Sequence, residues 1–109
     1  MNESEILACA GKIAAFAADP QNIVPQGEWD YDGLPSPEWH RAEMMNGSLE
    51  MAGDAAGDIA GCLEDGDKGL ALELLNDAEA AYAEYCWFRD ASREDVERHL
   101  ADWYGEKNF

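Results

Sequence analysis

The sequence predicts an all-α protein: a small bundle of about four helices with one long proline-rich loop between the first and second. Three observations predict this fold. Apolar residues recur every three or four positions in four segments, all four prolines lie between residues 20 and 37, and 109 residues suffice for one modest hydrophobic core. We therefore expect one acidic helical domain over residues 1–109. Its helices are predicted at about 4–18, 37–64, 68–90 and 93–104, with the loop at 19–36.

The first predicted helix has one apolar face and a clear end. Its sequence, rich in alanine, carries Lys12 in its middle and two glutamates near its start, so it does not resemble a targeting segment. Asp19-Pro20 ends the pattern. The residues expected to face the core are Ile6, Cys9, Ala10, Ile13, Phe16 and Ala17.

The loop contains the stretch GEWDYDGLPSPEWH, in which acidic and aromatic residues alternate. A metal site is the weakest interpretation, because the two aspartates lack further ligands at a recognised spacing. A strand would need a partner strand, and no other segment predicts one. We expect a proline-stiffened loop that packs Trp29 on the bundle and presents its acids outward. Its candidate partner-binding residues are Glu28, Trp29, Asp30, Tyr31 and Asp32.

The second predicted helix is long and begins with a strong signal. Ser36 is a favoured N-cap, and Pro37 fits the first helical position. Gly53, Gly57 and Gly61 follow one flank, and their cost in a helix interior suggests that another helix approaches closely there. Its apolar residues recur at alternating spacings of three and four, which predicts a buried seam formed by Ala42, Met45, Leu49, Ala52, Ala56, Ile59 and Leu63.

Two shorter helices complete the predicted bundle. The turn EDGDKG separates the second helix from the third, and Ser92-Arg93-Glu94-Asp95 is a capping-box variant that opens the fourth. The third helix is expected to bury Leu70, Leu74, Ala78, Ala81, Tyr85 and Phe88, with Leu75 and Tyr82 beside them. The fourth is expected to point Val96, Leu100 and Trp103 inward.

The charge of the chain is strongly negative and unevenly placed. The 24 acidic and seven basic residues give a formal net charge of −17. Residues 13–88 contain sixteen acids and only two bases, Arg41 and Lys68. Such a field repels nucleic acid and anionic membranes and attracts basic proteins. We therefore expect a basic protein partner, no direct binding of nucleic acid and no membrane association.

The acids of the second and third helices form two stripes. On a helical wheel, five acids of the second helix fall within an arc of about 80°, opposite the apolar seam. Three acids of the third fall within about 40°, beside its apolar face. Acids four residues apart repel each other, so monomer stability does not explain them. The stripes consist of Glu43, Glu50, Asp54, Asp58 and Asp65, and of Glu73, Asp77 and Glu84.

Trp87 is predicted to lie away from the core and close to the stripe of the third helix. An exposed tryptophan beside charge is typical of an anchor for a protein partner. The alternative is that a dimer or a contact between helices buries it. Both interpretations stay open at the sequence level, and a homodimer is one possible assembly.

No catalytic motif is recognisable in the sequence. DGDKGLALELLN fails as a calcium loop, because Leu70 replaces the required glycine and Asn76 the last ligand. Asp95, His99 and Asp102 share one helical face, but a histidine flanking a core face is usually structural. The cysteines are odd in number and widely spaced, so they do not indicate a disulfide framework. They favour a location in a reducing cytoplasm. We expect a non-enzymatic protein without a cofactor or a metal ion.

In its size, its acidic stripes and its helical make-up over residues 13–88, the chain resembles small acidic inhibitors encoded by phages and mobile elements. This class includes DNA-mimic antirestriction and anti-CRISPR proteins. The resemblance implies an inhibitor in the cytoplasm of a bacterial host, whose stripe residues and Trp87 engage a groove lined by lysine and arginine. The alternatives are an antitoxin or immunity protein that neutralises a basic nuclease toxin, and a small adaptor subunit.

Overall fold

The structure, a computed structural model, describes residues 1–29 and 33–105 and confirms the predicted all-α bundle. Its helices are α1 (Glu3–Ala18), α2 (Pro37–Glu64), α3 (Lys68–Asp90) and α4 (Arg93–Gly105). A short 3-10 helix, Pro20–Asn22, follows α1. α2 is about 42 Å long at 1.5 Å per residue, which accounts for most of the 50 Å length of the molecule.

Side-chain caps define where the helices begin. The Asn2 side chain accepts a hydrogen bond from the Glu5 amide, and the Glu5 carboxylate accepts one from the Asn2 amide, which completes a capping box. Ser36 Oγ accepts from the Trp39 amide at 3.1 Å, as the sequence predicts for α2. Ser92 Oγ accepts from the Asp95 amide at 3.1 Å and opens α4 in the same way.

The core consists of two clusters along the helix axis. The larger one joins α1, α2 and α3 through small and branched side chains, among them Ile6, Ile59 and Leu75. The second lies nearer the start of α2, where Met45 and Leu49 meet Tyr85 and Phe88 of α3. The seam of α2 is confirmed: Leu63 is partly buried, and the other six predicted residues are buried.

Three predictions about packing are wrong in part. The first turns of α3 bury Ala71 and Leu75, whereas Leu70 is 43% exposed and Leu74 is only partly buried. Trp103 is 42% exposed, although its ring stacks on that of His99.

The close approach predicted for the glycines of α2 occurs at one position only. A Cβ atom on Gly53 would lie 3.0 Å from the Ala17 Cβ of α1. At Gly57 and Gly61 a Cβ atom would meet nothing within 4 Å, because these turns of the flank face solvent rather than α1. The prediction is therefore confirmed at Gly53 and wrong at the other two.

Side chains of the bundle hold the described part of the loop in place. The Asn46 side chain donates to the Val24 carbonyl and accepts from the Val24 amide, both at 2.8 Å. Tyr85 Oη donates to the Asn22 carbonyl at 2.6 Å. The start of the loop is thereby bound to α2 and α3 through its backbone.

Candidate protein-binding surface

All eight stripe acids lie on the exposed surface of α2 and α3. This follows from the helical periodicity, which places them away from the buried seams. α2 and α3 are joined by a short turn and pack against each other. How the two helices are rotated about their axes decides which acids come near each other.

Four of the eight acids line one groove between α2 and α3. The groove has a volume of about 570 Å³ and carries Asp54 and Asp58 on one wall and Asp77 and Glu84 on the other. We call these four side chains the groove carboxylates. The rest of the lining is apolar and consists of Met51, Ala55, Leu74, Ala80 and Ala81. The structure thus places carboxylates from two helices beside apolar side chains.

The other four stripe acids lie outside this groove. Glu43 accepts a hydrogen bond from Gln26 Nε2 of the loop at 2.6 Å. Glu50 borders a separate hollow of about 330 Å³ next to Ile23 of the loop. Asp65 is the C-cap residue of α2, and Glu73 is exposed on α3. The predicted stripes therefore contribute to more than one surface.

The arginines of the described chain are engaged elsewhere. Arg89 pairs with Asp90, Arg93 pairs with Glu38 and Glu97, and Arg98 pairs with Glu94 and Asp95. Arg41 donates to carbonyl oxygens at the end of α3. Within residues 1–29 and 33–105, no ion pair involves a groove carboxylate.

Trp87 lies at a different groove from these carboxylates. Its side chain is 47% exposed, as predicted, and it lines a hollow of about 670 Å³ between the end of α3 and the start of α4. Its ring packs edge-on against Phe88, with centroids 4.8 Å apart, and lies 6.1 Å from the ring of His99. Trp87 therefore belongs to the α4 side of the molecule.

The aromatic loop is anchored at Trp29. Its ring centroid lies 4.9 Å from that of Trp39 and 5.5 Å from that of Tyr104, and its Nε1 donates to the Gly33 carbonyl at 3.1 Å. Trp29 therefore packs on the bundle as expected, and Glu28 beside it is exposed. The predictions for Asp30, Tyr31 and Asp32 fall outside the described residues.

The structure also brings together two histidines that the sequence did not connect. His40 of α2 is fully buried, and its Nε2 lies 2.8 Å from Nδ1 of His99 on α4. Burial lowers the pKa of His40 to about 4; the neighbouring His99 adds to this effect, and Glu43 opposes it. Since 59 residues separate the two, no local spacing could indicate the contact. The only signal in the sequence is that both histidines lie on or beside apolar faces.

Comparison with known proteins identifies no relative. No protein-family model, curated protein or solved structure matches this chain. In the part of the chain that the structure describes, no helix is both long and apolar enough to cross a bilayer. Nor do these residues contain a group of three or more His, Cys, Asp or Glu side chains placed to hold a metal ion. Function is therefore inferred from the charge and geometry of the surface.

Proposed function

We propose that the protein is a non-enzymatic inhibitor that presents acidic stripes to a basic nucleic-acid-binding groove of a host defence complex. It would belong to the anti-CRISPR or antirestriction class of DNA mimics. The observation that carries the proposal is the groove between α2 and α3, whose four carboxylates form no ion pair among the described residues. Two facing lines of negative charge on rigid helices are what a surface built to bind duplex DNA would recognise.

The spacing of the charges supports this proposal. Asp54 and Asp58 are one turn apart, a rise of about 6 Å along α2, which is of the same order as the spacing of phosphates along a DNA strand. Both walls belong to helices of more than twenty residues, so the backbone positions that carry the carboxylates are set before a partner binds. Such preorganisation lowers the entropy cost of binding.

Affinity capture with two matched variants tests the proposal. The groove variant carries Asp54→Asn, Asp58→Asn, Asp77→Asn and Glu84→Gln. The control variant removes the same charge at exposed positions outside the groove, through Glu3→Gln, Glu64→Gln, Glu79→Gln and Asp102→Asn. Each immobilised protein is exposed to bacterial lysate with and without competing duplex DNA, and the captured proteins are identified by mass spectrometry.

We expect the wild type and the control variant to capture a DNA-binding protein that duplex DNA displaces. The groove variant should bind that protein at least about tenfold more weakly, a loss of about 1.4 kcal/mol or more. Far-UV circular dichroism should show the same helix content in all three proteins. Equal capture by the groove variant, or capture that duplex DNA does not affect, would contradict the proposal.

An antitoxin or immunity protein is the second candidate, and the exposed tryptophans favour it. Trp87 and Trp103 are 47% and 42% exposed, and exposed tryptophans are common anchors of protein interfaces. The two candidates predict different responses to salt. A DNA mimic should lose affinity steeply as the salt concentration rises. An immunity protein anchored by tryptophan should show a weak salt dependence and a large loss of affinity in the Trp87→Ala variant.

A further inference from the structure

The two histidines of this chain meet in a single contact between α2 and α4. His40 Nε2 and His99 Nδ1 lie 2.8 Å apart, a hydrogen-bond distance. His40 is 0% exposed, and its other ring nitrogen, Nδ1, has no hydrogen-bond partner among the described residues. No other histidine occurs in the sequence. Both histidines of the chain therefore lie at one interface, between α2 and α4.

The number of protons on the pair decides whether this hydrogen bond can exist. One of the two nitrogens must carry a hydrogen, and the other must present a lone pair. Both conditions can be met when the rings are neutral or when one of them is cationic. When both rings are cationic, both nitrogens carry hydrogens and neither accepts, and two like charges lie side by side. The contact therefore tolerates one extra proton but not two.

The groups around the pair oppose a charge on His40 on balance. From α2, the carboxylate of Glu43 favours its protonated form, while burial and the neighbouring His99 disfavour it more strongly. α3 contributes only uncharged rings, those of Phe88 and Trp87. From α4, the charged or titratable groups on or beside the same face are Tyr104, whose ring lies 5.8 Å from that of His40, Asp95, which pairs with Arg98, and Asp102.

α4 is the helix that a weakened contact would affect first. It has 13 residues, a length at which an isolated helix is marginal in water. It packs mainly on α2, and its buried residues Val96 and Leu100 belong to neither of the two large core clusters. Only a two-residue turn links it to α3. α1, α2 and α3 share a core cluster that contains no residue of α4.

We propose that the contact between His40 and His99 is an acid-sensitive latch: protonation of both imidazoles releases α4 from α2, while α1, α2 and α3 stay folded. Release uncovers the rings that α4 covers, above all Phe88, and frees Trp87 from its contact with His99. The latch is a property of the fold and does not depend on the identity of the partner.

The expected size of the effect follows from proton linkage. In the closed state the pKa of His40 is lowered to about 4. In the released state the side chain is solvated and regains its ordinary pKa of about 6.5. Release therefore takes up a proton below pH 6.5, and the open fraction rises by up to about tenfold per pH unit. Between pH 7 and pH 5 the increase is about 20-fold.

Hydrogen exchange of the full chain at pH 7 and pH 5 tests the latch. After correction for intrinsic exchange rates, the open fraction of α4 amides should rise about 20-fold. The α1 amides should stay better protected than the α4 amides at both pH values, because α1 opens only when the whole molecule unfolds. Equal protection of α4 at both pH values would overturn the proposal. So would equal protection of the α1 and α4 amides at pH 5, because the two helices would then open together in the unfolding of the whole molecule.

A pair of variants separates the effect of His40 protonation on α4 from the effect of the many carboxylates. His40→Gln keeps a donor for His99 but cannot become charged, so the protection of α4 should no longer depend on pH. Glu94→Gln removes a carboxylate of α4 that lies away from the pair and should keep the 20-fold response. A wild-type response in His40→Gln would overturn the latch. If His40→Gln does not fold, the comparison of α4 with α1 in the wild-type chain decides alone.

Discussion

Arg41 binds backbone carbonyl oxygens, so its charge does not offset the acidic residues of the surface. Its Nη1 donates to the Phe88 carbonyl at 2.5 Å and to the Ala91 carbonyl at 2.8 Å. These oxygens lie at the C-terminal end of α3, where backbone acceptors lack helical partners and the helix dipole is negative. One of the two basic residues between positions 13 and 88 therefore stabilises a helix end and leaves the acidic stripes uncompensated.

Replacement of Arg41 should lower stability. We expect Arg41→Met to reduce the free energy of unfolding by about 2 kcal/mol, because hydrogen bonds from a charged donor are lost and the carbonyls stay partly buried. Arg41→Lys should fall between this variant and the wild type, since an ammonium can reach fewer of the oxygens. Urea unfolding followed by circular dichroism measures the difference. Wild-type stability of Arg41→Met would contradict this role.

His40 should make the stability of the whole protein depend on pH. Its folded-state pKa of about 4 lies below the ordinary value of 6.5, so the unfolded chain binds more protons between these pH values. The stabilisation is complete above pH 6.5 and is lost as the pH falls toward 4, by up to about 1.4 kcal/mol per unit. Urea midpoints at pH 7, 6 and 5 measure it. His40→Gln should lack this component, and an unchanged pH dependence in that variant would contradict it.

At the scale of the helices, α2 offers a direct test of its packing. Ala in place of Gly favours a helix by about 1 kcal/mol. Gly57→Ala should gain about this amount, because its Cβ meets nothing within 4 Å. Gly53→Ala should gain little or lose stability, because its Cβ lies 3.0 Å from the Ala17 Cβ and α1 must shift. Thermal unfolding of the two variants gives the comparison. An equal gain in both would show that α1 does not press on Gly53.

The helices themselves could be predicted because local signals mark them. Ser36 and Ser92 accept hydrogen bonds from amides three residues away, and Pro37 has a φ angle suited to the first helical position, so the start of a helix can be predicted from the sequence. The buried face of the first turns of α3 was harder to predict. Leucines at positions 70, 72, 74 and 75 make this segment apolar on several sides. The pattern therefore fits two alternative buried faces that differ by a shift of one residue. Tertiary packing selects the seam with Ala71, whose small side chain is fully buried.

The candidate surface could be predicted only in part. Each stripe follows from the period of one helix, and the exposure of its acids required no further information. The groove depends on how α2 and α3 are rotated against each other, which a single-helix pattern does not contain. This rotation brings four acids to one groove, whereas Glu43 accepts a hydrogen bond from Gln26 of the loop. The four acids are Asp54, Asp58, Asp77 and Glu84. The contact between His40 and His99 could not be predicted for the same reason, because the pattern of one helix does not show how it packs on another.

At the scale of the whole molecule, the charge of −17 should oppose the compact state. We expect the free energy of unfolding to rise by about 1 kcal/mol between low salt and about 0.5 M salt, because screening weakens the repulsion between neighbouring acids. The groove variant should be more stable than the wild type at low salt and should respond less to salt. Urea unfolding at the two salt concentrations measures both effects. A decrease in stability with salt would contradict this view of the stripes.

Carboxyl footprinting of the complex with the captured partner tests the central claim most directly. Carbodiimide coupling labels accessible carboxylates, and mass spectrometry assigns each modified residue. We expect the partner to protect Asp54, Asp58, Asp77 and Glu84, while Glu3, Glu64, Glu79 and Asp102 react as in the free protein. Unchanged labelling of the four groove carboxylates in the complex would show that the partner binds elsewhere and would contradict the claim that this groove is the binding surface.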